Sequence, residues 1–499
     1  MATEIRQKPL YNVLPVGQQI IFTVENTDAV DNYFNVKYIA ELHITSGAGA
    51  INLSTSDKLI ASFKTTPNNA GVGIFDFQNL LEGYVSAQHT GAGEGGITSV
   101  SKYKDVAYSL QTPHPVHVID RWARGVNNIR RFAIQFKVEG STTATAPVGI
   151  ISGSSKNSEM YTFFNGVLQR ENYLTLGNIN NSGSLVAGDN YGYDLESNLL
   201  YLSSSTANSK FLTNAPTTQY ANVDDYGTFA FLNFLPDASL VSSNPNVYKY
   251  RVKQINLTFY KNDGTTHSTY VSQGWSSGGA TNYDRLSSSF LYFGGFPANL
   301  RNTNKGGFET LVTDGLIQGG YYTIQAENED GTLGQIYTIN VNCPNAKDYE
   351  SIRLAWLNQW GVWDYYTFTM KSVRSTSTNR TTYTQMQGSW NDSRYRIDGF
   401  KGGRKNFRVN STERIQVNTD FVTEADAVWF EELINSQDVY IIKGFDASES
   451  APYNTITNKY VEPVLVTTSS YTRKTIANDK LMQYTFELER NKTQKTQPA

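Results

Sequence analysis

Strict alternation of apolar and polar residues is the feature that most limits the folds open to this chain. From residue 36 to residue 44, every second side chain is apolar: Val36, Tyr38, Ala40, Leu42 and Ile44. Side chains alternate between the two faces of a strand, so this pattern predicts a half-buried strand. The same period recurs at 132–138, 255–259 and 484–488. The chain is therefore expected to be rich in β-strands.

Turn dipeptides lie between such runs, and Asp263-Gly264 and Asp330-Gly331 are typical of β-hairpins. Tyrosine (32) and phenylalanine (25) are abundant, while charged residues make up 17% of the chain. This balance suits many half-buried strands with uncharged polar outer faces. The sequence thus predicts a mainly β protein built from several antiparallel, sandwich-like or barrel-like domains.

Helical signals are few, and the clearest one is at about 423–436. The Thr423 side chain can cap the first turn, and the Asp426 side chain, at the third helical position, can accept a hydrogen bond from the Thr423 N–H in return. Apolar residues four positions apart then form a stripe that can pack on a sheet: Trp429 with Leu433, and Phe430 with Ile434. A shorter candidate helix begins at Asp76. The C-terminal part is therefore expected to be an α+β segment.

A chain of 499 residues is too long for one compact core, and composition suggests four domains. These are an N-terminal β domain (1–140), a Ser/Asn/Tyr-rich β insertion (141–245), a second β domain (246–345) and a C-terminal α+β domain (346–499). Five tyrosines of the insertion are candidate binding-loop residues: Tyr191, Tyr193, Tyr201, Tyr220 and Tyr226. They could fill the insertion's own core, line subunit contacts or stack on glycans.

The segment LAWLNQWGVWDYYTFT (354–369) concentrates aromatic side chains without matching a catalytic pattern. Its members are Trp356, Trp360, Trp363, Tyr365, Tyr366 and Phe368. Tryptophan and tyrosine bring large apolar area with a polar group, which suits either a core or a contact between protein chains. We interpret the segment as a turn at Gly361 leading into a buried strand that packs on the 423–436 helix, with a subunit contact as the alternative.

The charge balance gives little reason to expect nucleic-acid binding. Basic and acidic residues number 42 and 45, for a formal net charge of −3. Two local basic stretches stand out: Arg121, Arg124, Arg130 and Arg131, and then Lys401, Arg404 and Lys405. The first is interpreted as a solvated strand end or an inter-subunit salt-bridge patch, and the second, more loop-like stretch in the same way.

No arrangement of residues suggests catalysis, and the chain is expected not to be an enzyme and to need no cofactor. His114 and His117 could supply two metal ligands, but no further ligands at zinc spacing accompany them, so no metal site is expected. Four acidic candidates for a glycosidase lie in turns or beside aromatic runs: Glu327, Asp330, Asp364 and Asp392. The GxGxxG match at 91–96 lacks a strand-to-helix setting. The single cysteine, Cys343, is expected to be a buried hydrophobe.

The N-terminal sequence MATEIRQKPLYNVLP lacks the apolar core of a secretory signal. No run of eighteen apolar residues occurs in the chain, so no membrane insertion is expected. The protein is therefore expected to be made in a cytoplasm.

Four segments together resemble a family of virion structural proteins of tailed bacteriophages that infect Bacteroidota, including crAss-like phages. They are FNVKYIAELHI with SFKTTPNNAGVGIFDFQNLLEGYVS; YTFFNGVLQRENYL; YESIRLAWLNQWGVWDYYTFTMKS; and EADAVWFEELINSQDVYII with PVLVTTSSYTRKTIANDKLMQYTFELE. They occur in this order over almost the whole chain, and none of them is a catalytic motif.

This resemblance implies a tail or connector component of the virion, synthesised in the host bacterial cytoplasm. The expected partners are other copies of the chain in a closed ring and neighbouring tail or connector proteins. A host-receptor or carbohydrate-binding tail protein, with host surface glycan as its partner, is the alternative, and a β-sandwich glycosidase is less favoured. A near-neutral β-rich chain with many aromatics is suited to closed rings with heterologous interfaces.

Overall fold

The structure is a computed structural model. It describes residues 2–9, 12–46, 51–53, 58–87, 123–124, 128–168, 202, 209–233, 252–272, 290–302, 304–328, 331–343, 349–389, 391, 393–444, 461–472 and 482–491. The fold is mainly β, as the sequence predicts, with several antiparallel and mixed sheets. Two compact units divide the chain. The first contains 1–344, 357–365 and 444–458, and the second contains 345–356, 366–443 and 459–499.

The first unit begins with two sheets that share a core. Its strands are β1 (Glu4–Gln7), β2 (Val13–Gly17), β3 (Ile21–Glu25), β4 (Phe34–Thr45), β5 (Leu59–Thr65), β6 (Val72–Asp76), β7 (Ala123–Arg124), β8 (Ile129–Ser141), β9 (Gly149–Ile150), β10 (Lys156–Asn157) and β11 (Tyr161–Val167). One sheet has the order β1-β3-β6. The other has the order β2-β11-β8-β4-β5, and β9 and β10 also pair with β8. Between them, the Phe22 ring centre lies 5.9 Å from that of Phe136 and 5.5 Å from that of Tyr161.

Short helices connect these strands. They are α1 (Thr27–Asn32) and α2 (Gln78–Leu81), and a 3-10 turn (Glu82–Tyr84) follows α2. The prediction of a short helix beginning near Asp76 is therefore confirmed. Tyr38, Ala40 and Leu42 of β4 are fully buried, as the period at 36–44 predicts, but Ile39 and His43 on the other face are buried too, so the strand is not half-buried over this stretch.

A second pair of sheets completes the described part of the first unit. The strands are β12 (Thr218–Ala221), β13 (Thr228–Leu232), β14 (Gln254–Tyr260), β15 (Thr266–Ser272), β16 (Phe290–Gly294), β17 (Tyr321–Glu327) and β18 (Thr332–Val341). They form sheets of order β12-β18-β17-β14-β15 and β13-β16-β7. Helices α3 (Pro297–Asn302) and α4 (Phe308–Thr313) flank a 3-10 turn (Lys305–Gly307).

Both predicted hairpins are present in the five-stranded sheet. At the first, Tyr260 pairs with Thr266, and Gly264 has φ +80°, a left-handed value that glycine adopts readily. At the second, Glu327 of β17 pairs with Thr332 of β18, although Asp330 itself lies outside the described residues.

The described part of the second unit contains a large seven-stranded sheet, a two-stranded sheet and one helix. Its elements are β19 (Ile352–Leu357), β20 (Trp363–Phe368), β21 (Val373–Gln385), β22 (Gly388–Ser389), β23 (Arg396–Ile397), β24 (Gly403–Asn418), α5 (Glu424–Asn435), β25 (Val439–Ile442), β26 (Val461–Val466) and β27 (Thr485–Arg490). The large sheet has the order β20-β19-β25-β26-β27-β24-β21, and β22 pairs with β23. Leu357 of β19 and residues 363–365 of β20 are counted with the first unit.

Helix α5 begins as predicted. The Thr423 hydroxyl accepts a hydrogen bond from the Asp426 N–H (3.3 Å), and the Asp426 carboxylate accepts one from the Thr423 N–H (2.8 Å). This reciprocal capping box satisfies two backbone donors that the first turn cannot pair internally. The helix then buries Trp429, Phe430 and Leu433 against the sheet.

The predicted boundaries near 140 and 246 stay predictions. Strands of the 141–245 segment pair with strands from both sides of it: β11 pairs with β8 and β2, β12 pairs with β18, and β13 pairs with β16. The division between the two units at residues 344 and 345 lies close to the third predicted boundary.

Candidate functional site

A long two-stranded ribbon extends from the sheet of the second unit, and we call it the β-arm (residues 373–418). Strand β21 pairs with β24 along its whole length, from Val373 opposite Gln416 to Gln385 opposite Gly403. Strand β24 also pairs with β27, but only over Arg414–Asn418. At about 3.3 Å per residue, Arg404 lies about 30 Å along the ribbon from Arg414. Within the described residues, no strand pairs with the outer edge of β21 or with the outer edge of β24 beyond Arg414.

The β-arm buries little of its own surface. Twelve of the thirteen residues of β21 are exposed, as are most residues of the distal half of β24. An isolated two-stranded ribbon is marginally stable in water at best, and its free edges are ready to pair with another chain. The β-arm therefore has solvent-exposed faces and, among the described residues, two free strand edges.

A β-bulge places two aromatic rings together on the ribbon. Thr381 pairs with Arg408 and Thr382 pairs with Asn406, which leaves Phe407 as the extra residue. The ring centre of Phe407 lies 6.4 Å from that of Tyr383, with an edge-to-face angle of 85°. Lys405 is the direct cross-strand partner of Tyr383. The bulge thus creates a ribbon surface on which aromatic rings lie among cations.

The end of the β-arm adds a group of exposed apolar side chains. Phe400 is 78% exposed, Phe407 74% and Ile397 68%, and Tyr395 and Met386 are exposed as well. Single exposed apolar residues are common, but several large ones near one end of a projecting element are typical of an interaction site.

The charge of the β-arm is opposite to that of the rest of the chain. Residues 373–418 contain nine basic and three acidic residues, so the remainder has 33 basic and 42 acidic ones. The net charges are therefore +6 for the arm and −9 for the remainder. The near-neutral total of −3 conceals this separation.

At the base of the arm the cations are paired. Arg374 lies 2.5 Å from Glu350, and Arg490 of β27 binds both Glu413 (3.0 Å) and Glu462 (2.7 Å). The hydrogen bond to Glu462 is the main reason that the pKa of Arg490 lies above its ordinary value. These partly exposed pairs fix the arm's exit from the sheet.

Further out, Arg404 and Arg408 form no ion pair with a carboxylate of the described residues, although Lys401 does. Lys401 pairs with Asp398 at 2.7 Å, whereas Arg404 donates to the Thr382 hydroxyl and Arg408 to the Asn410 amide oxygen. Arg404 and Lys405 lie on β24, which corrects the prediction that the 401–405 patch is loop-like. The polar sequence around them obscured the strand.

The aromatic segment 354–369 is divided between two cores. In the second unit, the Trp356 ring centre lies 4.8 Å from that of Trp429, and the Tyr366 ring centre lies 4.9 Å from that of Phe430. Trp356 and Phe368 are buried. Burial raises the pKa of Tyr366, whose hydroxyl oxygen accepts from the Asp420 N–H at 3.3 Å.

The remaining aromatics of this segment belong to the first unit, where Trp360, Trp363 and Tyr365 are buried. The Tyr365 hydroxyl bonds the Thr228 hydroxyl at 2.9 Å. The predicted turn lies at Gly361, which has φ +69°, and a β-carbon there would meet the Asn165 carbonyl oxygen. These six aromatics are thus core residues, and Tyr366 alone among them is half-buried.

Two of the five insertion tyrosines lie in the part of the chain that the structure describes. Tyr220 on β12 is 65% exposed, whereas Tyr226 is buried. Tyr191, Tyr193 and Tyr201 lie outside the described residues.

Two sequence interpretations are wrong. Cys343 is exposed rather than buried, because it lies just beyond the last residue of β18. Arg131 is buried rather than solvated, since it lies inside β8, and this burial lowers its pKa. Arg130 is half-buried. Arg121 and the side chain of Arg124 lie outside the described residues.

The candidate catalytic residues have structural contacts where they are described. The Asp364 carboxylate is buried and accepts from the Thr213 hydroxyl at 2.6 Å, and Glu327 accepts from the Asn256 amide. Asp330, Asp392, His114, His117 and the 91–96 loop lie outside the described residues. No group of three or more potential metal ligands occurs in the described part of the chain.

No described helix has both the length and the apolar character needed to cross a membrane.

Comparison with known proteins does not assign a family. No family model matches the chain, and the search of curated proteins found no match. One of the solved structures found is a crystal structure of Salmonella alpha-2-macroglobulin reacted with methylamine, at 6% sequence identity and a TM-score of 0.17. That comparison covers 97% of this chain and 22% of the macroglobulin chain. A TM-score this low carries no argument about fold or function.

Proposed function

We propose that this chain is a structural subunit of a tailed-phage virion and forms part of a tail or connector ring. The virion assignment rests on the resemblance of the four sequence segments. The assembly role rests on one observation, the β-arm, whose strands expose polar edges, cations and large apolar side chains together. Such a surface is suited to binding a partner protein stably. Among the described residues of the same chain, no element covers it.

Shortening the β-arm tests the assembly role. Thr376 and Glu413 are cross-strand partners, so an Asn-Gly turn can replace residues 377–412 and close a short hairpin. The base of the arm keeps its ion pairs to Glu350 and Arg490. We expect the wild type to form discrete oligomers in analytical ultracentrifugation and rings in electron micrographs, alone or with its neighbouring virion proteins.

The shortened variant is expected to stay monomeric and to melt at the same temperature as the wild-type monomer. If the shortened variant assembles as well as the wild type does, the β-arm is not responsible for assembly. A wild type that stays monomeric with and without virion proteins would contradict the proposal itself.

A host-receptor or carbohydrate-binding role is the second candidate, and one surface of the first unit favours it. A row of residues crosses the outer face of the five-stranded sheet in register: Tyr220, Asn340, Tyr321 and Tyr260. The rings of Tyr260 and Tyr321 are stacked, with centres 4.5 Å apart. Aromatic faces beside an amide can bind the apolar face and hydroxyls of a sugar.

Glycan-array binding that is lost in Tyr220→Ala but kept in Phe407→Ala would support the receptor role. Absence of binding to any glycan of the host surface would contradict it.

A further inference from the structure

The second unit carries an acidic surface whose charge matches the β-arm in magnitude. Residues 420–438, which include α5, contain six acidic residues and no lysine or arginine: Asp420, Glu424, Asp426, Glu431, Glu432 and Asp438. The charge of this segment is −6, against +6 for the β-arm. Helix α5 holds four of these acidic residues.

The outer face of this segment is also partly apolar. Phe421 is 61% exposed and Val428 is 49% exposed. Residues Glu424, Val428 and Glu431 follow the spacing of one helix face, and the buried residues Trp429 and Leu433 lie on the opposite face. We call Phe421, Glu424, Val428 and Glu431 the α5 face. It combines carboxylates with apolar side chains, as the distal β-arm combines cations with apolar side chains.

We propose that the distal β-arm of one copy docks on the α5 face of another copy. This inference rests on the proposed assembly function and names the partner as a second copy of this chain. Lys405 and Arg408, whose partners Tyr383 and Thr381 share one face of the ribbon, would meet the carboxylates of the α5 face, and Phe407 on the same side would cover its apolar part. Arginine is suited to this contact because its planar fork can bind a carboxylate through two hydrogen bonds.

The geometry of the second unit favours contact between copies over contact within one copy. Helix α5 packs on the sheet itself, where the ring centres of Phe430 and Phe486 are 5.6 Å apart. The arm leaves that sheet at Arg414, and Arg404 lies about 30 Å further along the paired ribbon. A paired ribbon cannot fold back by this distance without losing its cross-strand hydrogen bonds. The arm is therefore placed to reach another molecule.

The proposed contact uses two different surfaces. Each copy binds one neighbour through its β-arm and another neighbour through its α5 face. Such a heterologous contact repeats from copy to copy and closes a ring if the rotation between copies allows it. This arrangement agrees with the ring expected for the proposed function.

Charge reversal provides the test. Lys405→Glu with Arg408→Glu alters the arm, and Glu424→Lys with Glu431→Lys alters the helix face. Lys253→Glu with Lys261→Glu, at the positions that flank β14, is the control for the arm variant because it changes the net charge by the same amount. Sedimentation velocity at 50 mM and 500 mM NaCl measures association, and melting curves show that each variant remains folded.

We expect each reversed variant to associate at least about tenfold more weakly than the wild type, because like charges then face each other. The control is expected to associate as the wild type does. A chain with both reversals is expected to regain assembly. An equal mixture of the arm variant and the helix variant is expected to assemble with the two variants alternating, since each arm then meets a helix face of opposite charge only on the other variant. Wild-type association is expected to weaken at 500 mM NaCl, where screening is stronger.

Three results would overturn the proposal. Assembly that survives both separate reversals would exclude the arm-to-helix contact while leaving the assembly role in place. Failure of the doubly reversed, folded chain to regain assembly would exclude the α5 face as the acceptor. Arm-dependent binding of a 30-base-pair DNA duplex by a wild type that stays monomeric would assign the arm to nucleic acid instead.

Discussion

Removal of the Phe430 side chain tests whether the aromatic core stabilises the second unit. Phe430 is fully buried in α5, and its ring centre lies 4.9 Å from that of Tyr366 and 5.6 Å from that of Phe486. Replacement of a buried phenylalanine by alanine costs about 3–5 kcal/mol, because apolar contacts are lost and a cavity remains. Phe430→Ala is therefore expected to lower the free energy of unfolding of this unit by that amount.

Hydrogen exchange measured by mass spectrometry reports this change locally. Backbone amides of 424–435 exchange when α5 opens, so their exchange rate follows the opening free energy. Each 1.4 kcal/mol corresponds to a factor of ten, and we expect exchange to be about 10²- to 10⁴-fold faster in Phe430→Ala. A local measurement is preferable to a single melting temperature because the chain has two units.

Phe407→Ala is the matched control. It removes the same atoms from a side chain that is 74% exposed, so the free energy of unfolding should change by less than about 0.5 kcal/mol. If Phe430→Ala accelerates exchange by less than tenfold, or no more than Phe407→Ala does, the reasoning from burial is refuted. If the alanine variant does not accumulate, Phe430→Leu is expected to give roughly tenfold faster exchange.

Three further changes have defined outcomes. Thr423→Ala removes the capping box and should destabilise α5 by about 1 kcal/mol, measured as roughly fivefold faster amide exchange, whereas Thr423→Ser should change it little. Gly361→Ala places a β-carbon against Asn165 and should lower soluble yield more than Gly315→Ala, which has a similar φ (+70°) but open space around it. Burial raises the pKa of Tyr366 above its ordinary value of 10.0, so the stability linked to its proton is complete below pH 10 and is lost as pH rises through the folded-state value. Urea unfolding at pH 9 and pH 11 should therefore show a smaller alkaline loss in Tyr366→Phe than in the wild type.

Elements whose sequence pattern comes from burial were predictable. Tyr38, Ala40 and Leu42 recur at every second position because they lie on the face of β4 that lines the hydrophobic core, and Thr423 with Asp426 marks the start of α5 by local hydrogen bonding alone. The hairpin at Asp263-Gly264 has the same local origin, since its Gly264 takes the left-handed conformation. In each case the determining interaction lies within a few residues or on one face.

The β-arm was not predictable by the same means. Both faces of VRSTSTNRTTYTQ are exposed, so no apolar alternation marks the strand. Threonine, valine and tyrosine favour strands, and their density in this segment was the available signal. The division of the aromatic segment between two cores also could not be predicted from the sequence. Trp356 and Tyr365 are nine positions apart, and the partners that separate them, such as Trp429 and Thr228, are remote in the chain.

The position of β27 has a consequence for the order of events during synthesis. This strand is formed by residues 485–490, yet it lies between β26 and β24 and provides the pairing that anchors the base of the arm. A nascent chain that has not yet emerged to residue 490 has no Arg490 to bind Glu413 and no β27 to pair with the second edge of Arg414–Asn418. The base of the arm therefore gains this support only once residues 485–490 have been synthesised, well after the ribbon itself. A fragment that stops before residue 485 would keep the pairing of β21 with β24 but would lack the strand that joins them to β26.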